Sequence, residues 1–301
     1  MFKLKNAKKS DRLMKALTGM TVVEFESLVI TFSAVFDKYR ATRKQKRQRA
    51  VGGGRKHTLR SAAERLFFIL FYVKCYPTMD LAGFIFGVDR SRIQRWVKEL
   101  LPLLEETLGR EMVLPARKIN NMADFVAQFP AVKELFIDAT ERPVRRPGKN
   151  KAQTEHYSGR KQRHTTKSIV VGDEQGQVLI LPPTKPGRRS DYFRFKQSGI
   201  GDVLPPGTAA WVDLGFQGIE NDFPHLEVVI PHKKPKNGEL TPDQRAENKI
   251  ISQLRIKIEH TISRLKRFGA VADIYRNHAG DWADKFIWLA AGLTNYHLRL
   301  A

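Results

Sequence analysis

Three acidic residues occupy settings that acids usually avoid. Asp138 lies inside the apolar run "LFIDAT" and Asp213 inside "AAWVDLG", both of which read as β-strands. Acids are depleted in strands, and a carboxylate removed from water without a partner is costly. Either residue alone is also explained as a turn cap. Both together, near the carboxyl ends of strands of one α/β sheet, where ligands tend to bind, argue for a shared cation. The third acid, Glu259, is the one carboxylate in "SQLRIKIEHTISRLKRF" (252–268), a stretch with five Lys or Arg. Ile251, Leu254, Ile258, Ile262 and Leu265 recur at helical spacing over 241–268, and Glu259 falls at the edge of that stripe beside Arg255 and Lys266. Three hard oxygen ligands, with no cysteine partner and no dense histidine cluster, suit Mg²⁺ or Mn²⁺ better than zinc. Two such ions roughly 4 Å apart would serve phosphodiester chemistry, activating a nucleophile and stabilising the leaving oxygen. Arg255 and Lys266 would then face phosphate.

The charge balance agrees with a polyanionic partner. Lys and Arg number 53 against 31 Asp and Glu, a net charge of +22, and self-repulsion of that size is commonly offset by a nucleic acid. An anionic membrane is the rival partner. The longest apolar run, "LFFILFYV" (66–73), falls far short of the roughly 20 residues a spanning helix needs. The amino-terminal "MFKLKNAKKSDR" has no apolar stretch after its charges, so no signal peptide and no membrane contact are expected. The lone Cys75 excludes an internal disulfide framework and a cysteine-rich zinc site. A soluble intracellular protein that touches nucleic acid is expected.

The elements that must position these groups divide the 301 residues in two. Thr21 and Glu24 form a capping box that opens a helix in the amino-terminal segment, 1–45. The stretch 40–56 holds eight basic residues, no acid and three consecutive glycines, and reads as a flexible basic linker centred on 46–57, DNA-directed or merely solubilising. Residues 58–110 read as helical, with "TMDLAGFIFGV" and "DRSRIQRWVKEL" joined by a tight turn at Gly87-Val88. That is a helix-turn-helix pattern. Ile93, Trp96, Val97 and Leu100 supply its buried face, leaving Arg90, Arg92, Gln94, Arg95 and Lys98 for a major groove or for solvent. After a connector at 111–130, an α/β order of strands runs through 134–140, 167–174, 177–184, 208–215 and 226–233, with a helix at "RSDYFRFKQSGI" before the fourth. The segment 141–167, with nine basic residues against two acids, reads as a DNA-gripping loop and hairpin beside Asp138 or a solvated loop; Arg145, Arg146, Arg160, Lys161, Arg163 and Lys167 are its candidate contacts. His156, His164 and His260 read as structural or phosphate-contacting rather than metal ligands, and Trp211 as core.

With these residues in place, the chain resembles a bacterial insertion-sequence transposase of the DDE type, in the group of insertion sequence five and akin to the Harbinger transposases. The segments "FIDATERPVRRP", "EHYSGRKQRHTTK", "WVDLGFQG" and "IPHKKPKNGELTPDQRAENKIISQLRIKIEHTISRLKRFG" carry the resemblance in order. It covers about residues 58–300, together with the helix-turn-helix. The resemblance implies an α/β ribonuclease H-like catalytic domain over 131–301 behind an all-α helix-turn-helix domain, with Asp138, Asp213 and Glu259 as the metal-binding triad. A related signature of Tyr, Arg, Glu and Lys matches at Arg255, Glu259 and Lys266. Ser252 stands at the tyrosine position and Leu214 where relatives often have Lys, so those two roles do not carry over. By resemblance the protein cuts double-stranded DNA at transposon ends and joins the freed 3′-hydroxyl to target DNA, using Mg²⁺ or Mn²⁺, two ions per site, as a homodimer when DNA is bound. It would work in the bacterial cytoplasm, associated with the nucleoid. A binder that no longer cuts and a host nuclease that cuts without joining are the competing functions.

Overall fold

Residues 4–45, 57–277 and 282–300 are described by the computed structural model. Two short helices, α1 (Leu4–Ala7) and α2 (Asp11–Thr18), precede the long α3 (Val22–Gln45). The expected capping box opens α3: the Glu24 N–H donates to Thr21 Oγ1 at 3.1 Å, and the Thr21 N–H to Glu24 Oε2 at 2.7 Å. Residues 40–45, expected in a linker, continue this helix. Their Arg, Lys and Gln side chains are good helix formers, and the glycines come only later. The remainder of the basic stretch, 46–56, lies outside the described residues.

The helix-turn-helix follows α4 (Ala62–Cys75), which Ser61 and Glu64 open with a second capping box. Its helices are α5 (Met79–Phe86) and α6 (Arg90–Arg110). Gly87 caps α5 in the left-handed region at φ 66°. A Cβ on Gly83 would stand 2.6 Å from the Val88 carbonyl oxygen, so only glycine lets the turn fold back this tightly. Asp89 then starts α6, accepting from the Arg92 N–H at 3.0 Å. Ile93, Val97 and Leu100 are buried as expected, and Trp96 packs edge-on against Phe68 at 5.1 Å between centroids.

The second half begins with α7 (Met122–Gln128), inside the expected connector, and then alternates strands with short helices. The strands are β1 (Glu134–Pro143), β2 (Tyr157–Ser158), β3 (Arg163–Gly172), β4 (Val178–Ile180), β5 (Lys185–Pro186), β6 (Ala209–Trp211) and β7 (Glu227–Val229). Between them come α8 (Asn150–His156), α9 (Asp191–Ser198), α10 (Ile200–Val203) and α11 (Ile219–Asp222), and the long α12 (Pro242–Lys266) follows. All five expected strands are present. The sheet is mixed: β3 runs antiparallel to β1 and carries β4 antiparallel at its end, while β6 is parallel to β1 and β7 parallel to β6. Leu135, Ile137, Ile169 and Val171 point to one face, where Phe195, Phe216 and Phe223 complete the core. On the other face α12 crosses β1, with Lys257 Nζ 5.3 Å above the Phe136 ring.

Two last helices, α13 (Gly269–Ala272) and α14 (Trp282–Leu300), end the described chain. By its contacts the chain forms two compact units. One runs to Leu114 and takes in Arg267–Val271 and the residues from Lys285 on; the other is Pro115–Lys266 with Ala272–Asp284. Most of α14 therefore joins the first unit, where the Phe286 ring meets Tyr76 at 5.7 Å and Asn295 Nδ2 donates to the Val113 carbonyl at 2.9 Å. An amphipathic stripe declares that a helix is buried, not against which partner. No single described helix is long and apolar enough to cross a membrane.

Candidate active site

The sheet register sets the first two acids side by side. β1 and β6 pair only from Glu134–Ala209 to Phe136–Trp211. Asp138 and Asp213 each lie two residues beyond that last pair, and strand alternation puts them on the face of Phe136 and Trp211. Those two rings stack at 5.8 Å with an interplanar angle of 11°, so the part-buried Trp211 packs on Phe136 beside the acids. Two details differ from expectation. Asp138 is in the middle of its strand rather than at the end, because β3 continues to pair with β1 as far as Pro143. Asp213 lies outside β6, where it caps a 3₁₀ turn (Leu214–Phe216) by accepting from the Gly215 N–H at 2.7 Å. Turn cap and cavity residue are thus the same aspartate.

Asp138, Asp213 and Glu259 line one cavity of about 250 Å³ in the second unit. Glu141 and Asp191 add two further carboxylates, and Arg160, Lys161, Arg255 and Lys266 contribute the cationic wall. β1 and the turn after β6 supply the aspartates, while Glu259 reaches in from α12 with an exposed side chain. Burial, with Asp213 and Asp191 adding repulsion, pushes Asp138 up to about 6, against the opposing pull of the Ala139 N–H and Arg255. Partial burial, and then the charge of Lys161, lowers Lys266, with Asp138 and Glu141 acting the other way. Arg255 Nε is buried with no hydrogen-bond partner among the described residues.

The donor chemistry suits a hard divalent cation, since the cavity offers carboxylate oxygens and neither histidine nor cysteine. Among the described residues, no three acid, histidine or cysteine side chains are gathered closely enough to enclose a metal ion. The triad shares a cavity without being drawn into a closed ligand cluster. Its oxygens remain available: the second oxygens of Asp138 and Asp213, and both of Glu259, have no hydrogen-bond partner among the described residues, while the first oxygens accept from Ala139 and Gly215.

The other expected contacts divide. Arg160 and Lys161 reach the cavity, whereas Arg145, Arg146 and Arg163 are exposed but do not line it, and Arg146 donates to Gln153 at 2.9 Å. Lys167 differs from expectation. It is 6% exposed and bound to Glu141 and Asp191, so it is closed to a DNA backbone; alternation along β3 turns it inward where a basic run suggested a grip. In the first unit Arg90, Gln94, Arg95 and Lys98 are exposed on α6 and Arg92 half-buried. Arg90 stands 3.9 Å from Asp80. None of the three histidines lines the cavity: His156 holds the Ala152 carbonyl at 2.9 Å, His164 packs edge-on against Tyr157 at 5.6 Å, and His260 is exposed. Glu141 and Asp191 escaped the sequence reading. Their signal was present, since each is an acid set among arginines, in "DATERPVRR" and "GRRSDYFR".

Comparison with known proteins agrees with this arrangement. Residues 137–295 match the family described as DDE superfamily endonuclease, and residues 57–110 match the helix-turn-helix of DDE superfamily endonuclease. The chain is 30% identical over 274 residues to a "Probable transposase for insertion sequence element IS702" from Microchaete diplosiphon, covering 90% of this chain and 91% of that protein. It is 23% identical over 263 residues to a "Putative transposase for insertion sequence element IS112" from Streptomyces albus G, covering 85% and 90%. No solved structure matches. With the triad's acids on one cavity and both family segments in order, the chain belongs to the DDE superfamily of endonucleases, among the transposases of insertion sequences.

Proposed function

We propose that the protein binds the ends of its own insertion sequence through α6, cleaves the DNA in the cavity of Asp138, Asp213 and Glu259, and joins the freed 3′-hydroxyl to target DNA. The observation that carries this reading is the shared cavity, in which three acids from β1, the turn after β6 and α12 stand against Arg160, Lys161, Arg255 and Lys266. The strand arrangement, β4-β3-β1-β6-β7 with the last two parallel to β1, is compatible with a ribonuclease H-like fold. Asp138, Asp213 and Glu259 would hold Mg²⁺ or Mn²⁺, two ions per site, and when bound these supply Lewis-acid stabilisation of charge on the attacking and leaving oxygens. The chain's own part is positioning. Arg255, Lys266, Arg160 and Lys161 take the phosphates flanking the scissile bond. Joining two ends calls for two such cavities, hence a homodimer on DNA, working on the bacterial nucleoid in the cytoplasm.

The test is incubation of the purified protein with a duplex carrying the element's end, a target plasmid and Mg²⁺. Cut and joined products are expected from the wild type and neither from Asp213→Asn, which should still retain the duplex. Equal cutting by that variant would remove the triad assignment, and cutting without joining would reduce the protein to a nuclease. In the same material, Arg92→Ala with Arg95→Ala should weaken retention by roughly tenfold or more. If both touch phosphate, the slope of log affinity against log salt should fall by about 2.

A further inference from the structure

The five carboxylates of the cavity fall into two classes. Asp138, Asp213 and Glu259 keep oxygens without a hydrogen-bond partner among the described residues. Glu141 and Asp191 do not. Lys167 Nζ forms ion pairs with Glu141 Oε1 at 3.3 Å and Asp191 Oδ1 at 2.5 Å, and donates a hydrogen bond to the Arg189 carbonyl at 2.8 Å. The remaining oxygens are engaged as well: Glu141 Oε2 accepts from Thr165 at 2.7 Å, and Asp191 Oδ2 lies 3.5 Å from Arg160 Nη1. All three partners of this cluster are nearly closed to solvent, with side-chain exposures of 6% for Lys167, 8% for Glu141 and 11% for Asp191. Asp191 nevertheless stands on the triad's ground. The point a Cβ on Gly215 would occupy is 2.8 Å from Asp213 Oδ1 and 3.6 Å from Asp191 Oδ2.

Resting on the reading of Asp138, Asp213 and Glu259 as cation ligands, we propose that Lys167 is a specificity-determining residue that withholds Glu141 and Asp191 from the cation and so sets the cavity for Mg²⁺ over Ca²⁺. Mg²⁺ binds through few carboxylates and keeps several waters in a tight octahedron, whereas Ca²⁺ gathers six to eight oxygens in a looser shell. Three free acids suit the first ion. Releasing two more would build the crowded oxygen cage that the second prefers. A buried ammonium is suited to this task because its charge cancels part of the repulsion among the acids while it occupies their lone pairs. Lys167 touches neither phosphate nor cation; it acts through the carboxylates it restrains.

The experiment is calorimetric titration of the full-length protein, without DNA, with MgCl₂ and with CaCl₂. Lys167→Met should raise the ratio of Ca²⁺ to Mg²⁺ affinity by about tenfold or more as the two acids become ligands. Asp191→Asn, which keeps Lys167 and its packing, should leave the ratio of Ca²⁺ to Mg²⁺ affinity within about twofold of wild type and Mg²⁺ affinity within about tenfold, because a restrained Asp191 adds charge to the cavity but is not a ligand. An unchanged ratio in folded Lys167→Met overturns the proposal, as does a tenfold loss of Mg²⁺ affinity in Asp191→Asn. Should Lys167→Met not fold, the Asp191→Asn result decides alone. A wild-type protein that takes up neither ion overturns this proposal together with the cation reading of the triad, whereas uptake with an unchanged ratio overturns this one only.

Discussion

Asp138→Asn is expected to abolish strand cutting and, in the same molecule, to make the protein more stable. The loss of cutting follows from the proposed role of Asp138 as a cation ligand; the gain in stability follows from burial and the neighbouring acids, which raise the Asp138 carboxyl to about 6 from its ordinary 3.8. The folded protein therefore binds this proton more tightly than the unfolded chain does. Near pH 3 the carboxyl is neutral in both states and costs nothing. As pH rises through the interval from about 4 to 6 the folded state must bear a buried charge, and above that range the full penalty applies, about 3 kcal/mol for a shift of this size. An asparagine keeps an oxygen to accept the Ala139 N–H, a bond of 2.6 Å, but carries no charge. A melting temperature several degrees above wild type at pH 8, shrinking toward zero difference near pH 3, is the expected record. Mg²⁺ should raise the melting temperature of the wild type, because a bound ligand stabilises the state it binds, and should have much less effect on the variant. A loss of stability at pH 8 in Asp138→Asn would mean that the charged carboxylate is satisfied within the free protein and does not await a cation.

Gly83→Val should remove DNA retention while leaving the acidic cavity intact. The atom its Cβ would meet, the Val88 carbonyl oxygen at 2.6 Å, is backbone and has no rotamer with which to give way. The Val88 N–H also donates to the Gly83 carbonyl at 3.0 Å, so moving the turn breaks the bond that closes it. A cost of about 3 kcal/mol or more to the helix-turn-helix is expected. Loss of the α5–α6 geometry should weaken binding of end DNA by at least tenfold, since Arg92 and Arg95 then no longer meet the groove together. Cation uptake, a property of residues in the other compact unit, should stay at the wild-type value. Full retention by Gly83→Val would show that α6 does not govern DNA binding.

Much of this site is legible from local pattern. Asp138 and Asp213 are conspicuous because acids do not belong in apolar strands, and Glu259 because its helix has one acid among five bases. The turn at Gly87 and the cap at Asp89 are chemical signals confined to a few residues, and both are present. What escapes is decided by pairing across the chain. Nothing near Lys167 says that β3 will seat it opposite Glu141, or that the start of α9 will bring Asp191 to the same ammonium. The length of β6 escapes for a similar reason. "AAWVDLG" reads as continuous strand until the Asp213 side chain takes the Gly215 N–H and turns the chain away. The placement of α14 escapes too, because its apolar face fits any apolar groove and only the folded partner distinguishes them.

Crystals soaked in MnCl₂ and measured at the manganese absorption edge give the most direct test of the shared cation. Two anomalous peaks about 4 Å apart are expected, bounded by the carboxylate oxygens of Asp138, Asp213 and Glu259. Manganese bound elsewhere on the molecule, with none among those three carboxylates at saturating concentration, would contradict the assignment.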